Sequence, residues 1–339
     1  MKNIRIDALD GFRVISIFIV MLYHFYSLYL GDLYDYNFNG KIFQFGYLGV
    51  EFFFMISGFV IFISLDNSKN WIDFIKKRYL RLMPGMLVCS VLTFSIYNIF
   101  DSPFYPQAKE IKNLLFSNTF ITPSLPNKLF GTNFSYIDYS YWSLWIEVIF
   151  YTIISVLFFI DRSKVILNYS IISISSTLLW YFFGTDNVLN LAIYNPIHNI
   201  LKIIPFIDFL IWFLIGIIIS QLYKDKYNYR NILYLLFLFC LVFFTTKSID
   251  IKLFLLVSII IWIVFLYRNH WFDFLNGNMM MKLGRSSYSV YLIHQMIGVL
   301  VIIYLSPFFG NYNWLIPIGL IVAFFGFGLL SFIIYPIKK

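Results

Sequence analysis

Ten long stretches of this chain run almost without Asp, Glu, Lys or Arg: residues 14–31, 42–65, 82–100, 139–160, 165–185, 203–223, 231–246, 253–267, 286–306 and 314–337. Segments of that kind gain little from water along their whole length, and in lipid an α-helix satisfies its own backbone. About 20 apolar residues carry a helix across a hydrocarbon core of about 30 Å. The pattern therefore predicts an all-α integral membrane protein, a bundle of about ten transmembrane helices. Composition points the same way: 60% of the 339 residues are hydrophobic and only 12% are charged, where soluble chains carry roughly 25%. A soluble enzyme, a disordered chain and a secreted disulfide scaffold are all excluded. The two cysteines, Cys89 and Cys240, sit inside apolar runs and read as inert thiols.

Eight of the runs are long enough to cross with ease. The other two, 231–246 and 253–267, are short and need Lys247 and Lys252 to snorkel. If they form a re-entrant hairpin instead, two crossings vanish together and the downstream orientation is unchanged. The first run follows Lys2 and Arg5, yet it ends in aromatics and has no small-residue cleavage site, so it reads as a membrane helix and not a leader. With ten spans and a cytoplasmic N-terminus, the inner connections and span ends collect 18 of the 25 basic residues. The positive-inside rule then places both termini in the cytoplasm. The net charge of +8 is spread along the chain and forms no single patch for nucleic acid. The chain reads as one membrane-embedded unit, residues 1–339, with no appended soluble domain. Its longest connection, 101–138, contains Pro103, Pro106, Pro123 and Pro126; it is either a lid or acceptor-binding surface, or an idle loop.

Ionisable side chains within spans are costly and commonly mark a site. His24 falls in the outer half of the first span, Glu51 in the outer third of the second, Glu147 in the outer part of the fourth, and His294 near the middle of the ninth. A histidine alone within a span is more often a packing residue than a catalyst, but an imidazole with carboxyls at similar depth suits proton transfer. Asp208 stands alone near a span end and reads as interfacial. On the opposite side, Arg78 and Arg81 lie three apart and share a helical face. Their guanidinium groups either grip phosphate bidentately or anchor the chain at the membrane surface.

Several segments together resemble one family, the membrane acyltransferase 3 group of O-acyltransferases. Leu9-Asp10-Gly11-Phe12-Arg13 with Tyr23-His24 resembles its first-helix signature. Gly49-Val50-Glu51-Phe52-Phe53-Phe54 with Ser57-Gly58-Phe59 resembles the second-helix pattern, although Glu51 stands where an aspartate is common. Arg78-Tyr79-Leu80-Arg81 with Pro84 is similar to the family's R-x-x-R-x-x-P. Tyr141-Trp142-Ser143-Leu144-Trp145-Ile146-Glu147 with Phe150-Tyr151 is similar to S-L-x-x-E-x-x-F-Y. The stretch from Leu283 to His294, which includes Tyr288 and Tyr291, resembles the late L-G-x-x-S-Y-x-x-Y-L-x-H motif. Each motif is weak alone; five in order, spread from Leu9 to His294, are specific.

The resemblance implies transfer of an acyl group, usually acetyl, from cytoplasmic acyl-CoA to a carbohydrate hydroxyl. The acceptor it implies is a surface or lipid-linked glycan such as O-antigen or exopolysaccharide, and the location is the cell membrane. Acyl-CoA would be a co-substrate, with no bound cofactor and no metal. By that analogy His24 is catalytic, as general base or acyl carrier, and Glu147 orients it or braces a neighbouring helix. Arg13, Arg78 and Arg81 would serve the donor, with Glu51, Ser143, Tyr288 and His294 in support. The competing readings are a glycan or lipid transporter, and an acyltransferase that uses succinyl or a longer acyl group.

Overall fold

The computed structural model describes residues 6–36, 39–184 and 193–334. Lys2, Arg5, Lys338 and Lys339, which enter the expected topology, lie outside the described residues. The described chain is helical. In order the helices are α1 (Asp7–Tyr23), α2 (Gly49–Ser64), α3 (Trp71–Phe100), α4 (Ile111–Ser117), α5 (Ser124–Phe130), α6 (Trp142–Ile160) and α7 (Val165–Phe183). They continue with α8 (Tyr194–Leu201), α9 (Leu210–Lys224), α10 (Tyr229–Thr245), α11 (Ile249–Tyr267), α12 (Asn278–Phe309) and α13 (Ile316–Ile334).

Within the described residues, each of the ten apolar runs coincides with a helix. Eight segments are long and apolar enough to cross a membrane by length and composition, the last of them Asn278–Leu329. That last segment holds both α12 and α13, which meet at the Gly310–Leu315 turn, where Gly310 takes φ +51°. Tyr229–Thr245 is a shorter apolar helix. Helix starts depart from the apolar runs where capping overrides hydropathy. Residues 71–81, charged and excluded from the third run, are helical because the Asn70 side chain accepts from Asp73 N at 2.9 Å and Lys77 pairs with Asp73 at 2.8 Å. Likewise α11 begins at Ile249, capped by Ser248, so the run expected to be short gains a turn.

Small residues set the helix contacts, as expected where lipid supplies no hydrophobic drive between helices. Gly58 faces the backbone of Phe213 and Gly216 faces that of Met55; a β-carbon at either would overlap its neighbour. These reciprocal contacts make α2 and α9 an antiparallel pair. Gly284 packs on Asp10 and Gly298 on the Phe25 ring, so α12 runs parallel to α1. This register brings the middle of α12 to the end of α1. There the chain leaves the α-helix in a π turn, His24–Leu28, a distortion often found at functional sites.

Candidate active site

The α1–α12 register places His24 and His294 in contact: His294 Nε2 lies 3.2 Å from His24 Nδ1, with ring centroids 4.8 Å apart. Backbone carbonyls fix the tautomers. His24 Nδ1 is 2.9 Å from Val20 O, and His294 Nδ1 is 2.6 Å from Tyr291 O. A carbonyl only accepts, so both Nδ1 atoms carry hydrogen. His24 Nδ1–H is then shared between Val20 O and the lone pair of His294 Nε2. The remaining lone pair of His24 sits on Nε2. Such an atom can take a proton or attack a carbonyl.

His24 lines a chamber of about 600 Å³ with Tyr47, Glu51, Tyr139, Ser140, Trp142 and Tyr291. The connection 101–138 forms part of its wall through Thr122, Ser124 and Tyr136. That connection is held in place by its own network: Asn127 pairs with Phe134 and Thr132, and Asn113 with Ser135. It ends at Asp138, which is fully buried and accepts from Ser140 N at 2.8 Å, Ser140 Oγ at 2.7 Å and Met296 N at 3.1 Å. Burial pushes this carboxyl up to about 6 in spite of its donors. The Tyr291 hydroxyl donates to Ser140 O at 3.0 Å and receives from Ser143 Oγ at 2.9 Å. Asp138 and Tyr291 thus tie the start of α6 to the His294 turn of α12.

A second, narrow cavity of about 30 Å³ adjoins the chamber and shares Val50 and Tyr291 with it. Its other walls include Ser16, Ser143, Glu147 and Tyr288. Glu147 is not a partner of His24 here: its Oε1 accepts from the Tyr151 hydroxyl and from Ser57 Oγ at 3.4 Å. Tyr288 donates to Leu82 O at 3.2 Å.

Beyond Glu147 stand the arginines. Arg13 donates to Asp10 at 2.8 Å. Arg78 donates to Ser64 Oγ at 2.7 Å and lies 5.0 Å over the Phe74 ring, while its buried Nε has no hydrogen-bond partner among the described residues. Arg81 is exposed. Arg13, Arg78 and Arg81 are near enough for their charges to act on one another, and Glu147 acts on Arg78. The residues expected to form the site are therefore brought together as two groups with Glu147 between them. Glu51 is 3% exposed, faces the chamber, and its Oε2 has no partner among the described residues.

Asp208, expected to stand alone at the interface, lines a further cavity together with Glu51. Asp138 is a further buried polar residue at the site, and its one signal in the sequence is its place directly before Tyr139-Ser140 and an apolar run, an N-cap pattern.

The family model described as an acyltransferase domain matches residues 6–335. The chain is 33% identical over 91 residues to an O-acetyl transferase of Shigella phage Sf6, covering 27% of this chain and 26% of that protein. It is 32% identical over 100 residues to O-acetyltransferase OatA of Staphylococcus aureus, covering 27% of this chain and 14% of that one. The match thus spans about a quarter of the phage protein and about a seventh of OatA. No solved structure matches it. A match that runs through both the paired histidines and the arginine cluster shows that this chain belongs to that acyltransferase family.

Proposed function

We propose that the protein is a multi-pass membrane O-acetyltransferase that moves acetyl from acyl-CoA, bound at the arginine cluster, to a glycan hydroxyl in the His24 chamber. The observation that carries this reading is the fixed tautomer of His24, whose Nε2 lone pair belongs to a side chain lining a roomy, aromatic chamber. The S. aureus and phage relatives, named as O-acetyltransferases, support acetyl as the group moved.

The chemistry balances on these residues. The acceptor hydroxyl gives its proton to His24 Nε2 as its oxygen attacks the thioester carbonyl. The C–S bond breaks, and the departing CoA thiolate takes the proton from His24. While charged, the imidazolium keeps its Nδ1–H between Val20 O and His294 Nε2, so the ring does not have to turn between the two proton transfers. General-base catalysis of this kind contributes typically about 10²–10⁴-fold. The alternative in which His24 itself carries the acetyl group uses the same lone pair. At the other end, the Arg78 Nε left without a partner and the exposed Arg81 suit phosphate oxygens of the donor. The narrow cavity past Ser143, Glu147 and Tyr288 is the path by which the donor's acyl arm would approach His24.

For orientation we adopt ten crossings of the cell membrane, with the arginine cluster and both termini cytoplasmic; the bias of basic residues toward that side supports it. Purified protein given acetyl-CoA and surface glycan from its own cells should release free CoA thiol in proportion to acetyl bound to the glycan. CoA release that does not depend on the glycan would sink the assignment.

A further inference from the structure

Next to the His24 chamber lies a second chamber of about 400 Å³, walled by α7, α9, α10 and α11. Glu51, Phe209 and Ile251 line both, so the two spaces abut across a carboxyl group. Glu51 is 3% exposed, and its Oε2 has no partner among the described residues. Asp208 lines the same space, and its Oδ1 is buried without a hydrogen-bond partner among the described residues. Trp180, Tyr181 and Trp212 supply aromatic surface, and Lys247 stands on the wall. Nothing in the acyl-transfer step uses this chamber.

A space of that size with two unsatisfied carboxyl oxygens calls for a ligand that donates hydrogen bonds. A bare cation does not fit it, because hard cations collect six to eight oxygens at close range. Here the wall offers two carboxyl groups, a lysine and three threonines, two of whose hydroxyls are engaged with helix carbonyls, on an otherwise mostly apolar surface. A sugar ring does fit: its hydroxyls donate to Glu51 and Asp208, and its C–H face lies against Trp180 or Trp212. We propose that this chamber is a second saccharide subsite, holding the unit next to the one whose hydroxyl meets His24. The inference rests on the acyltransferase reading above. It makes the acceptor an oligosaccharide or longer chain and places Asp208 among the residues that select it.

The test uses the full-length protein with surface glycan from its own cells, hydrolysed and size-fractionated into single units and longer fragments. Transfer from radiolabelled acetyl-CoA is measured as kcat/KM for each fraction. The wild-type protein should favour fragments of two or more units over single units. Asp208→Asn should cut that ratio by about tenfold, chiefly through KM, and Trp180→Ala is a second variant should the first fail to accumulate. A wild-type protein indifferent to length, or a preference that survives both variants, overturns the subsite. So does a sodium dependence of transfer that Asp208→Asn abolishes without any length preference, which would assign the chamber to a cation. If no fraction is acetylated at all, the acyltransferase reading fails and takes the subsite with it.

Discussion

His24 gains its proposed role from two carbonyl oxygens and one facing imidazole. Replacing it by Ala or by Gln should abolish detectable transfer, since neither side chain accepts the proton, while the protein still accumulates in the membrane. In the proposed mechanism His294 acts through His24: its Nε2 lies 3.2 Å from His24 Nδ1, where it holds the Nδ1–H. His294→Ala should lower kcat by about 10- to 100-fold and leave KM for acyl-CoA nearly unchanged, because imidazole orientation is lost but donor binding is not. His294→Gln, whose amide oxygen can accept the same hydrogen, should recover part of the rate. A rate in the Gln variant no better than in the Ala variant would count against this role.

Asp138 provides a separate check on stability. Its carboxyl sits above the ordinary aspartate value near 3.9, at about 6, so the native state holds this proton more tightly than the unfolded one. The stabilisation from this group is complete below the ordinary value and is lost as pH rises through about 6. Thermal midpoints of the wild-type protein should carry that downward slope, and Asp138→Asn should flatten it. His24 was legible from sequence because an ionisable group inside an apolar run stands out. Its partner was not, because His294 lies 270 positions away and only the α1–α12 register brings them together. Glu147, read as a companion of His24, bonds Tyr151 and Ser57 instead; similar depth along two spans does not say which faces meet.

At the level of elements, the α2–α9 contact depends on hydrogen in place of a side chain at Gly58 and Gly216. Gly58→Leu forces the helices apart, and overpacking of this kind costs typically about 1–3 kcal/mol or more. Size-exclusion profiles and thermal midpoints in detergent should show loss of monodisperse protein, with the Gly216→Leu variant behaving alike. If both variants are as stable as the parent, the helices do not pack at these glycines. Helix α3 carries Arg78 and Arg81 at its charged beginning, where hydropathy alone starts the span too late and the Asn70 cap decides. Changing both arginines to Lys keeps the charge and loses the planar fork. The expected result is a rise in KM for acyl-CoA, read by initial rates, with glycan KM little changed. Simple membrane anchoring by these residues predicts no change in either constant.

For the whole molecule, hydropathy was enough to place every apolar run on a helix, because lipid leaves the backbone few alternatives. The chambers were not legible, since the first forms where α1, α2, α6, α11 and α12 meet and the second among α7, α9, α10 and α11, and no local pattern encodes those meetings. Cysteines introduced in the 101–138 connection should react with a membrane-impermeant reagent from outside, and cysteines beside Arg78 should not; the reverse pattern would invert the proposed topology. The central claim joins that sidedness to the chemistry. It is tested most directly in proteoliposomes of uniform orientation, with acetyl-CoA supplied only on the arginine side and glycan only on the His24 side. The account predicts CoA thiol on the first side, acetylated glycan on the second, and neither product with His24→Ala. Equal transfer when acetyl-CoA is supplied only on the His24 side, or persistent transfer by His24→Ala, would contradict it.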